Sequence, residues 1–471
     1  MNNKITIAIA FIFFSLSFTV VGIFSARYKK NTTADYLLAS RNVNPWLTAL
    51  SAMSTGQSGF LFTGQVGYAY VKGISAIWLV IGWALGDYLA WWLVFKKLRQ
   101  ISEETNSETV SAFLEPIPSG FPWIKTITAL ITLAFLGSYA AAQLVASSKT
   151  LHAVFGWNYY WGAIVGAAIV VIYCFSGGIR ADIWTDAIQS VVMIVSLILL
   201  LVTLISNSGG IENIWTQLEA LDSNLVRVFP SNLAWGFSAF FVGWLVAGFG
   251  AVGQPHIVVR AMAIDSAENM GLARNLKTLC GLITSITAIS IGLAARVFLP
   301  ELAEGGDPEL ALLYLSADLL PAVLVGLMLA GLFAAIVSTA DSQILSCSAA
   351  LTQDLFPKMA KSHKFAKLGT LTITAVVLII ALSENESVFS LIIFAWSVLA
   401  SGLGPLLVIR AWQKPIDTPV AVATIFAGTV TVLIWNLVLK LSNALYEVLP
   451  GMAAGFLVYA LALLLYPKLR K

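Results

Sequence analysis

Long apolar runs separated by short polar segments recur along the whole chain. Thirteen of them come close to or exceed the roughly 18 to 20 residues that an α-helix needs to cross a bilayer. The pattern predicts spans at about 5–26, 45–70, 73–96, 122–150, 158–178, 183–206, 232–257, 275–300, 319–349, 366–384, 387–411, 417–440 and 444–467. Only Glu384, Asn385 and Glu386 separate the tenth run from the eleventh. No connecting segment is long enough for a domain, so residues 1–471 are predicted to form one transmembrane domain.

The composition excludes a soluble enzyme. The 471 residues include 27 Lys and Arg and 24 Asp and Glu, so 11% of the chain is charged, against roughly 25% in soluble domains. Hydrophobic residues make up 58% of the chain, and its mean hydropathy is +0.85. We therefore expect an all-α membrane protein. No G-x-x-x-x-G-K-[ST] pattern occurs, which argues against nucleotide-driven pumping and leaves a gradient or passive flow.

The basic residues predict how the chain is oriented. If the N-terminus lies outside, all but six of the 27 Lys and Arg residues fall on the cytoplasmic side. The six on the other side are Lys4, Lys72, Lys149, Arg227, Arg296 and Lys440. The positive-inside rule then predicts an outside N-terminus and a cytoplasmic C-terminus. Three His residues without metal-ligand spacing argue against a zinc site.

Two of the runs contain sequences that interrupt a helix. Residues 54–59 (STGQSG) lie in the second run and residues 248–255 (GFGAVGQP) in the seventh. Glycine weakens a helix and proline removes an amide donor, so the freed carbonyls need partners such as a cation or a substrate. Close packing through small residues is the alternative. The two runs begin groups of five spans, about 45–206 and 232–411, with opposite orientation, which is typical of the central site of a transporter.

Oxygen-bearing side chains within the runs are candidate ion ligands. Ser338, Thr339 and Asp341 lie in the ninth run, and a hard cation such as Na⁺ prefers hydroxyl, carbonyl and carboxylate oxygens. The alternative is that the hydroxyls bond back to the preceding helical turn. Asp186 lies near the start of the sixth run and is a functional candidate because carboxylates are costly in a membrane. A pair with Arg180 is its structural alternative.

Six short stretches together carry a family resemblance. They are 35–38 with Arg41, 48–52, 178–186, 253–256, 260–263, and 334–335 leading to Ser338 and Thr339. On these stretches the chain resembles the sodium/solute symporter family, and most closely its sodium/proline symporter branch, over nearly its whole length. The resemblance implies a LeuT-like fold of two inverted five-helix repeats, with residues 1–30 and 412–471 forming peripheral helices.

The resemblance also implies a sodium site. Ser338 and Thr339 match the family's sodium-binding hydroxyls. Ser54, Gln57 and Ala335 match positions that supply backbone carbonyls to the same ion. These five residues come from the second and ninth runs, so the two runs are expected to meet.

Further roles follow from the same resemblance. Asp186 matches an acidic residue of sodium passage or of a further sodium site, and Arg41 matches a basic residue needed for coupling; Asp341 remains a candidate from its depth. Gly56 stands where proline symporters typically have an aspartate, and alanines replace two aromatic residues around the substrate, which predicts a reshaped pocket. The residues assigned to the substrate cavity are Ser58, Gly59, Tyr139, Ala247, Ala251, Gly253, Gln254 and Pro255.

The implied function is Na⁺-coupled import of a small organic solute, foremost proline or a related amino acid. Open alternatives are a carboxylate, sugar or pantothenate-like solute, proton coupling, and a transporter-like sensor. Na⁺ is the expected coupling ion, with no other metal and no cofactor. The expected partners are the solute, Na⁺ and the lipid bilayer of a bacterial inner membrane, without nucleic acid or an obligatory protein partner.

Overall fold

The structure, a computed structural model, is helical throughout the residues it describes. These are residues 2–25, 27, 32–115, 123–231, 233–356, 358, 363–383 and 387–465. Within them the β contacts amount to an isolated bridge between Val43 and Ile264. The α-helices are α1 Asn2–Ser25, α2 Thr33–Leu38, α3 Pro45–Phe60, α4 Val66–Lys72, α5 Ile77–Ala90, α6 Lys96–Glu104, α7 Val110–Leu114, α8 Trp123–Ile131, α9 Gly137–Phe155, α10 Tyr159–Asn207, α11 Ile211–Leu221, α12 Gly236–Phe249, α13 Pro255–Ala263, α14 Met270–Phe298, α15 Ala311–Leu319, α16 Ala322–Ala349, α17 His363–Ser383, α18 Val388–Ala411, α19 Thr418–Leu433 and α20 Val448–Leu465.

Eleven helical segments of the described chain are long and apolar enough to cross a membrane. They confirm the predicted all-α membrane fold, whereas the predicted count of thirteen is not confirmed. The runs at 45–70 and 73–96 fall in one segment, Pro45–Glu104, in which Gly73 has a φ of 68° between α4 and α5. The runs at 158–178 and 183–206 both lie in α10, Tyr159–Asn207, in which Gly178 has a φ of 60°. The boundary predicted at 384–386 lies outside the described residues.

Both glycine-rich sequences interrupt their helices. In α3, Ser58 has φ 53° and ψ −169°, and a π-helical turn, Leu61–Gln65, follows. After α12 the chain forms a 3-10 turn, Gly250–Gly253, and Gln254 is extended before α13 begins at Pro255. Proline suits the first turn of a helix because its missing N–H would have no partner there. The chain therefore has non-helical backbone at both positions.

The broken helices pack around two of the most buried helices in the described chain. In the most apolar stretches of α16 and α18, 78% and 83% of the chain is buried. α16 packs against α1, α3, α9 and α10, and α18 packs against the 3-10 turn after α12 and against α19 and α20. α1, α19 and α20 lie on the outside of this core, where their apolar faces are available to lipid.

Glycines bring α5 and α12 into direct backbone contact. A Cβ at Gly86 would lie 1.8 Å from the Leu245 carbonyl oxygen, and one at Gly248 would lie 2.0 Å from the Trp83 carbonyl oxygen. Neither position can hold a larger residue without separating the helices. This contact places Trp83 beside the break that follows α12.

Candidate functional site

Hydroxyl groups of α3 and α16 meet in the buried centre of the molecule. Ser54 Oγ and Ser338 Oγ are 2.9 Å apart, and Thr339 Oγ1 donates to the Thr55 carbonyl oxygen at 3.2 Å. Ser338 and Thr339 also donate to the Ala335 carbonyl oxygen, at 3.2 and 3.0 Å. The second and ninth runs therefore meet, as predicted. The same hydroxyls also bond to the preceding turn of their own helix, which was the predicted alternative. The cluster offers hydroxyl and carbonyl oxygens suited to Na⁺.

Gln57, the fifth predicted ligand, is oriented toward a different helix. Its Nε2 donates to the Gly281 carbonyl oxygen at 2.9 Å, and its Oε1 accepts from Thr284 Oγ1 at 2.7 Å. Its own carbonyl oxygen accepts from the Leu61 amide. The side chain therefore joins α3 to α14, and the assignment of its carbonyl to Na⁺ stays a prediction.

A fully buried arginine connects four helices beside this hydroxyl cluster. Arg260 of α13 donates to Asp182 Oδ2 and Asp186 Oδ2 of α10, each at 2.8 Å. It also donates to Ser51 Oγ of α3 at 2.8 Å and to Ser342 Oγ of α16 at 2.5 Å. Ser51 donates in turn to Asp186 at 2.6 Å, and Ser342 donates to Asp182 at 3.0 Å. We call Arg260, Asp182, Asp186, Ser51 and Ser342 the Arg260 cluster.

The Arg260 cluster is continuous with the hydroxyl cluster. Thr55, whose carbonyl oxygen accepts from Thr339, donates its own hydroxyl to Asp186 Oδ2 at 3.2 Å. In the described chain Asp186 Oδ1 is buried without a hydrogen-bond partner. Asp341, the third predicted ion or coupling residue, is also buried on α16. One guanidinium thus faces more than one carboxylate, and an excess of buried negative charge favours a cation.

The pair between Asp186 and Arg180 that the sequence left open is not formed. Arg180 donates to Asp35 Oδ1 at 2.6 Å and to the Ala39 carbonyl oxygen at 2.7 Å. It therefore holds α2 against α10, and the cation at Asp186 comes from α13.

Arg41 binds the backbone at the α6–α7 connection and the Met262 carbonyl oxygen of α13, rather than the side chains of the Arg260 cluster. Its guanidinium donates to the Ser102 and Ser107 carbonyl oxygens at 2.7 and 2.8 Å, and to Ser102 Oγ at 2.9 Å. Burial, and then the neighbouring Arg99, lower the pKa of Arg41. Burial raises the pKa of Glu108, an effect that Arg41 opposes. The predicted coupling residue is thus a cross-link at one end of the helices.

A cavity of about 90 Å³ lies next to the interrupted part of α3. We call it the inner cavity. Gly56 and Gln57 of α3 line it, and so does an ion pair between Asp87 of α5 and Lys277 of α14. Its walls are Met53, Gly56, Gln57, Phe60, Gln65, Leu79, Val80, Trp83, Ala84, Asp87, Ile257, Lys277, Thr278, Gly281, Leu282, Ser285 and Trp396.

The predicted substrate residues of α3 and α9 form a contact behind the inner cavity. Tyr139 OH donates to Ser58 Oγ at 3.4 Å, and the Gly59 amide donates to Gln143 Oε1 at 2.9 Å. The Tyr139 ring also meets the edge of His256, with centroids 5.7 Å apart. These residues are together, as the resemblance implies, but they do not line the inner cavity.

The predicted substrate residues of the α12 break contact α18. The Ala247 carbonyl oxygen accepts from Trp396 Nε1 at 2.9 Å, and Gln254 Nε2 donates to the Trp396 carbonyl oxygen at 3.0 Å. Ala251 is buried, and a Cβ at Gly253 would meet α18 backbone. Since Trp396 lines the inner cavity, α18 supplies an aromatic ring next to the small residues of α12.

A second cavity lies on the other side of the Arg260 cluster. Pro255, the last predicted substrate residue, lines it together with Asp182, Arg260 and Ser342, and Glu108 also borders it. It therefore extends from the buried charges toward the connection that Arg41 binds.

A layer of aromatic rings separates the inner cavity from a larger third cavity of about 1020 Å³. Phe60 and Trp83 line the inner cavity, while Phe389 and Trp244 line the third. The Phe60 and Phe389 rings are 5.3 Å apart, and those of Trp83 and Trp244 are 6.2 Å apart. Trp396 adds to the layer, with its ring 4.7 Å from Trp83.

Four charged residues of these sites were not identified as such from the sequence. From the sequence, Arg260 and Lys277 counted only among the basic residues that set the orientation, and no site role was predicted for Asp182 or Asp87. The available signal was depth, because Arg260 follows Pro255 within an apolar segment and Asp87 lies within the third run. An ionisable residue at membrane depth is a functional candidate in its own right.

Two interrupted helices, a buried oxygen-rich contact and an adjoining cavity define the class of protein: a membrane transporter. The chain belongs to the sodium:solute symporter family, whose sequence model matches residues 36–428. This is a family of transporters rather than enzymes.

Two relatives illustrate the similarity. The high-affinity proline transporter PutP of Bacillus subtilis is 30% identical over 448 residues, which cover 93% of both chains. Sodium/proline symporter 2 of Staphylococcus saprophyticus is 30% identical over 454 residues, which cover 92% of this chain and 88% of the relative.

The fold is similar to that of a solved symporter. The substrate-bound, outward-open structure of a Na⁺-coupled sialic acid symporter matches 98% of both chains with a TM-score of 0.79 and 19% identity. At that identity the likeness concerns the fold alone, and it confirms the predicted LeuT-like fold class.

Proposed function

We propose that this protein imports a small amino acid, foremost proline, together with Na⁺. The observation that carries the proposal is that one short stretch of α3 contributes both to the hydroxyl contact with α16 and to the wall of the inner cavity. Ser54 and Thr55 contact the hydroxyls of α16, while Gly56 and Gln57 line the inner cavity. An ion held by the first pair of residues fixes the backbone that presents the second pair. The names of the relatives supply proline as the first solute to test.

The proposed coupling is a shared conformational equilibrium. Na⁺ bound by Ser54, Ala335, Ser338 and Thr339 joins α3 to α16 and stabilises the arrangement that binds solute. Solute binding then raises the affinity for Na⁺ by the same factor, since the coupling between two sites is reciprocal. Rocking of the repeat 45–206 against the repeat 232–411 exposes both sites to the other side.

We propose that the Arg260 cluster and Arg41 lie along the route by which Na⁺ leaves its site. Asp186 Oδ1 is free of hydrogen bonds in the described chain and lies next to Thr55. The second cavity borders Asp182 on one side and Glu108 on the other. We propose that Na⁺ leaves past Asp186 and Asp182 through this cavity, and that Arg41 maintains the end of the path.

The orientation completes the proposal. The N-terminus is outside and the C-terminus cytoplasmic in a bacterial inner membrane, so the third cavity faces outward and the second faces the cytoplasm. Na⁺ is the coupling ion without another cofactor, and the chain acts without an obligatory protein partner.

Uptake by proteoliposomes tests the proposal. Purified protein is reconstituted, and labelled proline uptake is measured with and without an imposed inward Na⁺ gradient. Uptake is expected to be concentrative only with the gradient and at least tenfold lower in Ser338→Ala/Thr339→Ala. Ser290→Ala is the matched control, because this half-buried hydroxyl bonds only to its own helix in the described chain. Proline uptake that is the same with and without the Na⁺ gradient would refute the proposal.

A further inference from the structure

The Asp87–Lys277 ion pair supplies the charged side chains that line the inner cavity, whose other walls are apolar, aromatic and neutral polar residues. Asp87 is 6% exposed and Lys277 is 9% exposed, and both line the inner cavity. Lys277 Nζ donates to Asp87 Oδ2 and lies 5.5 Å from the Trp91 ring centroid. In the described chain Asp87 is the only hydrogen-bond partner of Nζ, which has three N–H groups. Both members of the pair therefore have hydrogen-bonding capacity left.

Stability alone does not account for such a pair. Removing two charges from water costs several kcal/mol per ion, and well-packed apolar residues are often at least as stable. At membrane depth the cost is a reason to look for a ligand. Thr278 Oγ1, another group of the cavity wall, is buried and has no hydrogen-bond partner in the described chain. A polar ligand in this cavity would give it one.

The charges of the pair select the class of ligand. Together they are neutral, so an anion or a cation alone would leave one charge of the cavity uncompensated. A zwitterion compensates both, because its carboxylate can pair with Lys277 while its ammonium pairs with Asp87. A sugar could bind Lys277 and Asp87 only through neutral hydroxyl groups, so it would compensate neither charge.

The remaining wall fits the apolar part of such a ligand. Phe60, Trp83 and Trp396 present aromatic surface to the cavity, which suits an aliphatic ring or side chain. Gly56 adds no side chain, and the atom nearest to a Cβ built there is Ile257 Cδ1 at 3.9 Å. The glycine therefore leaves open the space on the α3 side.

We propose that Asp87 and Lys277 are the specificity-determining pair that binds the ammonium and the carboxylate of a zwitterionic amino acid. This inference rests on the proposed function and assigns residues to its solute. It differs from the site that the family resemblance implied, whose residues lie outside the inner cavity.

Selectivity between half-ligands tests the pair directly. Cyclopentanecarboxylate carries the ring and the anion of proline, and pyrrolidinium carries the ring and the cation. Binding to the purified full-length protein is measured by titrated thermal shift for proline and both half-ligands. Asp87→Asn is expected to weaken proline binding at least tenfold and to shift the preference toward cyclopentanecarboxylate, because Lys277 is then uncompensated. Lys277→Gln is expected to shift the preference toward pyrrolidinium by a similar factor.

The double variant separates a binding pair from a structural one. Asp87→Asn/Lys277→Gln leaves no buried charge unpaired, so a purely structural pair would recover proline affinity in it. We expect no recovery, together with retained stabilisation by Na⁺, which reports a folded sodium site. Lys277→Arg keeps the charge and is expected to retain most of the proline affinity. Glu268→Gln removes a partner of the exposed Lys96–Glu268 pair and serves as the control.

The outcomes are distinguishable from those of the proposed function. Recovery of proline affinity in the double variant, or unchanged half-ligand preferences in the single variants, overturns the assignment of Asp87 and Lys277. Neither result affects Na⁺-driven uptake by the unmodified protein. Conversely, uptake without Na⁺ dependence refutes the coupling, while the binding titrations still test the pair.

Discussion

Arg260 is the residue on which the buried charge balance of the molecule depends. It is the only basic side chain of the described chain that forms a salt bridge with Asp182 or Asp186. Arg260→Gln leaves two buried carboxylates without a cation, a change that costs roughly 3–5 kcal/mol. We expect the thermal midpoint of the purified protein to fall clearly. Arg227→Gln, at an exposed arginine, is the control, and equal midpoints for the two variants would contradict this role.

The sequence predicted residues by type and depth better than it predicted their partners. Ser338 and Thr339 are adjacent hydroxyls in an apolar run, and the structure places them against α3. The pairing of Asp186 with Arg260 could not be predicted from a local pattern, because Arg260 lies 74 positions away in the chain. Arg180 was the nearer choice, and it binds Asp35 instead. Pairing across helices is set by tertiary packing, which a local pattern does not contain.

At the scale of helices, glycine and proline chemistry made the interruptions predictable. The conformation at Ser58 and the turn before Pro255 follow from local backbone preferences. The count of thirteen spans was not confirmed, because the structure joins neighbouring runs: 45–70 with 73–96 in the segment Pro45–Glu104, and 158–178 with 183–206 in α10. The aromatic contribution of α18 was also missed, since Trp396 is positioned by contacts with α12 and with Trp83 of α5, which are distant in the sequence.

The start of α18 is capped by the side chain of Glu309, which comes from a distant part of the chain. Glu309 accepts from the Val388 and Phe389 amides of α18 at 3.2 and 3.0 Å, and its carboxylate is also bound by Lys149 of α9 at 2.7 Å. Unpaired amides at a helix start need such acceptors. Glu309→Ala is expected to speed hydrogen exchange at Val388 and Phe389 at least tenfold.

Mass spectrometry of peptides from the start of α18 measures this exchange. Glu304→Ala, at an exposed acid close in sequence, is the control and should leave the rates unchanged. Unchanged protection in Glu309→Ala would mean that the cap is not supplied by this carboxylate.

At the scale of the whole molecule, the proposed orientation decides that the third cavity faces outward and the second faces the cytoplasm. Lys440 and Lys414 are exposed in loops on opposite predicted sides. In intact cells, an impermeant maleimide is expected to label Lys440→Cys at once and Lys414→Cys only after permeabilisation. The parent protein, which has three cysteines, gives the background. The reverse labelling pattern would invert the proposed path.

Reciprocal flux is the most direct test of coupled transport. Proteoliposomes contain equal Na⁺ inside and outside, the membrane potential is held at zero with potassium and valinomycin, and a proline gradient is imposed inward. The account predicts that proline entry drives accumulation of a radioactive sodium tracer, and that Ser338→Ala/Thr339→Ala abolishes it. Proline entry that moves no sodium would contradict symport.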